Sequence, residues 1–292
     1  RQLGSFFHIA MNGMAASEKI FHLLDAPVPA DGTVTEVLDD TITFSDVHFS
    51  YEPGKHVLKG IDFTAKKGKL TALVGVSGCG KSTTASLLLG EQRKKEDGLY
   101  QGMVTIGNVP VETIAHHTLT TRITRVRHDS YLFAGTVEEN LKMGKPDATK
   151  EEMEAALKRV ELYDTIMEKG GLSMQLSEKA ANLSGGQKQR LALARAILHD
   201  SDIYIFDEAT SNIDVESENK IMEVIHEMAK QKTVLLISHR LANVVDADAI
   251  YVMRDGVMAE QGKHESLMAE HGYYYDLFMT QQVLERYTKE AN

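Results

Sequence analysis

One octapeptide constrains this chain more than any other feature. Gly75-Val76-Ser77-Gly78-Cys79-Gly80-Lys81-Ser82 fits the pattern G-x-x-x-x-G-K-[ST]. The apolar run Leu70–Val74 precedes it and a helical run, Thr83–Leu89, follows. A strand, a glycine loop and a helix in that order form a phosphate cradle. The glycines let the backbone wrap closely around phosphate oxygens. The loop N–H groups and the positive end of the helix dipole then bind the anion. Lys81 is placed to reach the β- and γ-phosphates, and Ser82 to ligate Mg²⁺ through its hydroxyl. Cys79 reads either as a small filler inside the loop or as a thiol made more acidic by the helix N-terminus.

A cradle of this kind predicts a parallel α/β sheet, and the rest of the chain agrees. Ile203–Phe206 and Val234–Ile237 are, like Leu70–Val74, short apolar runs typical of strands buried on both faces. Each leads into polar or glycine residues and then a helical pattern. From Thr41 the period is two: Ile42, Phe44, Phe49 and Tyr51 alternate with polar residues, as in half-buried antiparallel strands. A second such run, Val57–Phe63, follows Pro53 and Gly54. Ile250–Met253 and Val257–Glu260 flank Asp255-Gly256, a hairpin turn signal. A helix-rich stretch covers roughly 137–182. The first 25 residues read as a helix carrying Phe6, Phe7, Ile9, Ile20, Leu23 and Leu24, ended by Pro27 and Pro29.

Two further segments carry chemistry. Ile203–Phe206 ends in Asp207 and Glu208. A carboxylate at the C-terminal end of a parallel strand, beside a phosphate loop, is well placed to hold Mg²⁺ directly or through water. Glu208 then faces the γ-phosphate and can polarise an attacking water. Leu183-Ser184-Gly185-Gly186-Gln187 opens a helix continued by Leu191, Ala194, Ile197 and Leu198. Ser184 and Gln187 form a capping box. Two glycines in a first turn cost about 1 kcal/mol each against alanine, but they admit close approach of an anion. Two phosphate-binding helix starts in one chain suggest composite sites shared between two copies.

Composition excludes some classes. The chain has 292 residues, enough for one large domain or two small ones, and a net charge of −10. An acidic balance argues against nucleic acid as a partner. The single cysteine allows no intramolecular disulfide and fits a reducing compartment. No apolar run is long enough to cross a bilayer. The first residue is Arg1, and the chain is expected to be a fragment of a longer product.

The segment Leu183–Gln187 resembles the signature of ATP-binding-cassette (ABC) proteins, and the remaining motifs fall in that family's order over roughly residues 40–280. The resemblance implies an α/β fold: a P-loop NTPase core with a mixed, mainly parallel sheet, an antiparallel β subdomain and an inserted helical subdomain at about 130–200. It implies an ATPase with ATP and Mg²⁺ as cofactors. Tyr51 matches an aromatic that stacks on adenine. Gly75, Val76, Ser77, Gly78, Cys79, Gly80, Lys81, Ser82 and Thr83 match the ATP phosphate loop, and Ser184, Gly185, Gly186 and Gln187 the signature on the opposing chain. Asp207 matches the Mg²⁺ aspartate beside Ser82, Glu208 the catalytic glutamate and His239 the switch histidine. Ser211-Asn212-Ile213-Asp214 resembles the loop crossing the dimer interface.

The chain departs from the family pattern at two positions. His128 stands where a glutamine normally begins the loop to the helical subdomain, so its place among the metal and nucleotide ligands is an open expectation. Ala180, after the exporter-type Glu178, stands where exporters usually carry glycine. The flanks are similar to exporters. Ala15–Phe21 with Leu23-Leu24-Asp25 resembles the end of a last transmembrane helix and its linker, and Gly262–Leu267 with Tyr275 an exporter C-terminus. The expected organisation is a transmembrane-helix end and linker over 1–30 and a nucleotide-binding domain over 31–292. This domain would sit on the cytosolic face of the membrane, attached to its own or a partner's transmembrane domain. It would pair with a second nucleotide-binding domain as a homodimer or, given His128 among otherwise intact motifs, a heterodimer. A soluble cassette ATPase and a non-hydrolysing regulator are the other readings.

Overall fold

The computed structural model describes residues 2–26, 30–92, 97–211 and 213–290, with the side chains of residues 2–5, 9 and 285–290 left aside. Pro27, Pro29 and Asn212, and the side chain of Ile9, therefore lie outside the described residues. The chain divides into two units, Arg1–Gly32 and Thr33–Asn292. The first holds one helix, α1 (Gln2–Leu24), with Phe6, Phe7, Ile20, Phe21, Leu23 and Leu24 exposed. Among the described residues no helix is long and apolar enough to cross a membrane.

The second unit begins with β1 (Ile42–Ser50), β2 (His56–Ala65), β3 (Lys69–Val74), α2 (Lys81–Leu88), β4 (Tyr100–Ile106) and β5 (Val109–Pro110). After α3 (His116–Arg122) and β6 (Ile123–Arg127), β7 (Gly135–Thr136) leads to α4 (Val137–Lys142), α5 (Lys150–Arg159) and α6 (Tyr163–Glu168). β8 (Gln175–Leu176) precedes α7 (Gly185–His199), β9 (Ile203–Asp207), α8 (Val215–Ala229) and β10 (Thr233–Ser238). The chain closes with β11 (Ala249–Arg254), β12 (Val257–Gly262), α9 (His264–Glu270) and α10 (Tyr273–Glu290).

The main sheet has the order β12-β11-β3-β10-β9-β6. All its pairings are parallel except the β11–β12 hairpin. β3, β9 and β10 lie in its middle and are buried almost without interruption, which explains their continuous apolar runs. Their alternate side chains feed two cores. Tyr204, Phe206, Val234 and Leu236 face the helical side; Ile203, Ile205, Leu235 and Ile237 face a four-stranded sheet of order β2-β1-β4-β5. The β11–β12 turn holds Asp255 at φ 50° and Gly256 at φ 86°, as a tight hairpin requires.

Two strands carry little sequence signal. β6 reads Ile-Thr-Arg-Val-Arg and is an edge strand, where charged residues discourage further pairing. β4 contains Gly102 and pairs β1 across an irregularity between Ser45 and His48. The same irregularity, with Asp46 at φ 45°, shifts the alternation of β1. Ile42 and Phe44 are buried on one phase and Val47 and Phe49 on the next. Tyr51, read with that alternation, lies beyond the end of the strand.

Candidate functional site

The site forms at the C-terminal ends of β3, β9 and β10, where an open parallel sheet gathers its ligand groups. β3 ends at Val74, and the loop turns at once through Gly75 at φ 148°. A Cβ on Gly75 would stand 2.3 Å from the carbonyl oxygen of Met253 and 2.9 Å from Cys79 Sγ, so no larger residue fits. A Cβ on Gly78 would meet nothing within 4 Å, leaving that edge of the loop open to a ligand. Gly80, at φ 112°, caps α2, whose first N–H groups point into the loop. Cys79 is buried at 3% exposure in the core beneath the loop, the position of a filler. Lys81 is buried and its ammonium donates to the carbonyls of Gly75 (2.8 Å) and Val76 (3.0 Å). Its charge is thus already at the cradle's centre, while Ser82 is exposed beside it.

The carboxylates arrive from β9. Asp207 is the last residue of the strand and is buried at 6%. Glu208 leaves the sheet with φ 53°, held by its N–H donating to the Ile237 carbonyl of β10 at 2.9 Å. A glutamate in left-handed backbone costs about 1–2 kcal/mol, and such strain concentrates at functional positions. Here it turns the side chain toward the next strand end. Glu208 Oε1 lies 3.5 Å from Nδ1 of His239, just beyond β10. Gly75, Val76, Ser77, Glu208, His239, Leu241, Leu277 and Gln281 line one cavity of about 360 Å³. Tyr51 is half exposed, rests edge-on against Phe49 at 4.9 Å, and its hydroxyl lies 3.3 Å from the Thr83 hydroxyl. An exposed aromatic face thus stands beside the first turn of α2.

The signature segment lies elsewhere on the chain. Ser184 and Gln187 form the expected capping box: the Gln187 N–H donates to Ser184 Oγ at 3.2 Å, and the Ser184 N–H to Gln187 Oε1 at 3.1 Å. Gly186 has a packing reason to be glycine, because a Cβ would stand 2.2 Å from Ser217 Oγ of α8 and 3.1 Å from Asp214. Asp214 caps α8 and accepts from the Ser217 N–H, which holds its carboxyl below the usual range. Gly185 lines a different cavity, of about 310 Å³, with His128, Lys179, Gln189, Ser211 and Ile213. His128, in the exposed turn after β6, does not join Glu208 and His239 around the cradle's cavity. Ala180 is fully buried at φ 49°, a left-handed conformation that glycine adopts freely.

Ser82 and Asp207 offer hydroxyl and carboxylate oxygens, the donors Mg²⁺ prefers when substrate phosphates complete its shell. Among the described residues no cluster of three or more His, Cys, Asp or Glu could hold a metal without such phosphates. The hydroxyl and carboxylate oxygens of Ser82 and Asp207 are the donor types such a cation takes.

Three supports of the site carry no sequence motif. Arg125 of β6 pairs with Asp207. Gln281 of α10 holds the loop after β10 through its side-chain amide, which donates to the His239 carbonyl and accepts from the Leu241 N–H at 2.9 Å. Arg240 pairs with buried Glu218 of α8, while Asn243 donates to Glu218 at 2.7 Å and Thr210 at 3.0 Å. Nothing local in the sequence marks Arg125 or Gln281.

Comparison with known proteins places this geometry in context. The family described as ABC transporter matches residues 58–211. An uncharacterized ABC transporter ATP-binding protein of Haemophilus influenzae is 46% identical over 295 residues, covering 100% of this chain and 52% of that protein. An ATP-dependent lipid A-core flippase of Legionella pneumophila is 37% identical over 92% of this chain and 46% of its own length. The chain thus spans about half the length of these relatives. Among solved structures, a bacterial Atm1-family ABC exporter with ATP bound superposes with a TM-score of 0.83 at 31% identity, over 96% of this chain and 49% of that one.

Proposed function

This chain belongs to the ABC transporter family, and from that premise we propose that it is the ATP-hydrolysing motor of an exporter-type transporter. The observation that carries the reading is the cavity in which the phosphate loop, Glu208 and His239 meet. Residues 31–292 act as the nucleotide-binding domain, with a helical subdomain at about 130–200. Residues 1–30 act as the end of a transmembrane helix and its linker. That linker ties the domain to the cytosolic face of a membrane. The flippase and exporter relatives support this assignment.

ATP binds with its adenine on the face of Tyr51 and its phosphates on Gly75–Thr83. Lys81 exchanges its loop carbonyls for phosphate oxygens, and the first N–H groups of α2 meet the remaining charge. Ser82 and Asp207 would hold Mg²⁺, which when bound would neutralise phosphate charge. Glu208 orients the attacking water and takes its proton. His239, beside Glu208, contacts the γ-phosphate. A second nucleotide-binding domain closes the site with its own Ser184–Gln187 helix start. Asp214 lies in the loop that crosses this interface. His128 belongs to the loop that joins core and helical subdomain, where an imidazole nitrogen is a poorer partner for Mg²⁺ than an amide oxygen.

The test is Glu208→Gln in the full-length protein. Loss of a positioned base should lower steady-state phosphate release by about 10²–10⁴-fold, while equilibrium ATP binding stays near wild type. Turnover close to wild type would overturn the assignment.

A further inference from the structure

We propose that Arg125 is a built-in counter-cation at the metal end of this phosphate site, and that it weakens the site's hold on the divalent cation accompanying the nucleotide. The inference rests on the proposed function and goes beyond it. β6 and β9 run parallel, with Arg125 opposite Ile205 and Arg127 opposite Asp207. The Arg125 side chain therefore reaches forward by two residues to meet Asp207. Its Nε lies 3.2 Å from Asp207 Oδ2, and Nη2 donates to the same oxygen. The side chains are only 14% and 7% exposed, so water screens the pair little. Another carboxylate near the guanidinium, that of Glu91, is 3.7 Å away and half exposed.

This pairing has two consequences for a cation at Asp207. One carboxylate oxygen is already engaged by two N–H donors. The guanidinium also cancels the unit of negative charge that would attract the cation, and it repels a divalent ion directly. Arg125 cannot lose its charge to relieve either effect. Its positive charge therefore stays fixed beside Asp207 at any pH at which the protein is folded. In the exposed turn after this strand, His128 likewise supplies no oxygen donor.

The experiment uses the full-length protein and a fluorescent ATP analogue, titrated in EDTA and in saturating Mg²⁺. Mn²⁺ binding in the presence of ATP is followed by electron paramagnetic resonance. The wild-type analogue affinity should change less than about tenfold between the two conditions. Arg125→Gln keeps an amide donor for Asp207 without the charge, and should bind Mn²⁺ about tenfold more tightly. Arg125→Lys should stay near wild type. Equal Mn²⁺ affinity in wild type and Arg125→Gln overturns the role of Arg125. If that variant does not fold, a wild-type analogue affinity that rises about a hundredfold with Mg²⁺ overturns it equally. A wild-type protein that binds no nucleotide in either condition instead overturns the proposed function.

Discussion

Tyr51 shows how one residue acquires a role from its surroundings. Its ring is half exposed and propped by Phe49, and its hydroxyl touches Thr83 at the start of α2. Only the aromatic face is needed for a base to stack. Tyr51→Phe should therefore bind a fluorescent ATP analogue like wild type. Tyr51→Ala should lose roughly 10- to 100-fold in affinity, following the 1–3 kcal/mol per base seen for aromatic stacking on proteins. Equal affinity in Tyr51→Ala would mean that the ring only packs. Glu208 and Ala180 make a different point at this scale. Both hold positive φ, at 53° and 49°, and neither is a residue that favours it. The Ile237 carbonyl fixes Glu208, and full burial fixes Ala180.

At the scale of elements, the loop after β10 is held from two helices. Gln281 of α10 grips the backbone on both sides of Arg240, and Glu218 of α8 holds the Arg240 side chain. His239 therefore depends on a helix 42 positions further along the chain. Gln281→Leu should lower kcat for ATP hydrolysis by about tenfold, on the order of one lost hydrogen-bonded support, with ATP affinity nearly unchanged. Gln281→Glu keeps the acceptor for Leu241 but loses the donor to His239, and should fall between. An unchanged kcat in Gln281→Leu would remove α10 from the machinery. The start of α7 is constrained in a comparable way by α8. Gly186→Ala would drive its methyl into Ser217 and should destabilise the protein by about 1–3 kcal/mol in thermal melting. Ser217→Gly in the same chain removes the obstructing atoms and should restore much of the loss. No rescue would place the cost of Gly186→Ala elsewhere.

At the scale of the whole molecule, the cradle and the signature segment line separate cavities. Within one chain the two segments of the proposed site thus stand apart. If two copies exchange these halves, each site takes Lys81 from one chain and Ser184 from the other. Lys81→Ala and Ser184→Arg chains should each be inactive alone. Mixed in equal amounts, half of the dimers carry one doubly defective and one intact site, as two-fold exchange requires. ATPase activity should then recover to about a quarter of wild type, if sites work independently. No recovery, with both variants folded, would show that two copies of this chain do not share sites and would favour an unlike partner.

The sequence by itself determined the phosphate loop, the acidic strand end, the capped start of α7 and the β11–β12 turn. Each depends on neighbours in the chain, through backbone freedom at glycine, a short apolar run or a side chain capping its own helix. It also determined the central strands, because burial on both faces leaves a continuous apolar signature. Only the tertiary structure decided what lies beside those motifs. β6 was not legible because an edge strand can be charged, and so the guanidinium beside Asp207 was not legible either. The hold of Gln281 on the loop after β10 and the clash that keeps Gly186 small are contacts between segments distant in sequence. Such contacts follow from how the elements pack, and no local pattern of residues encodes them.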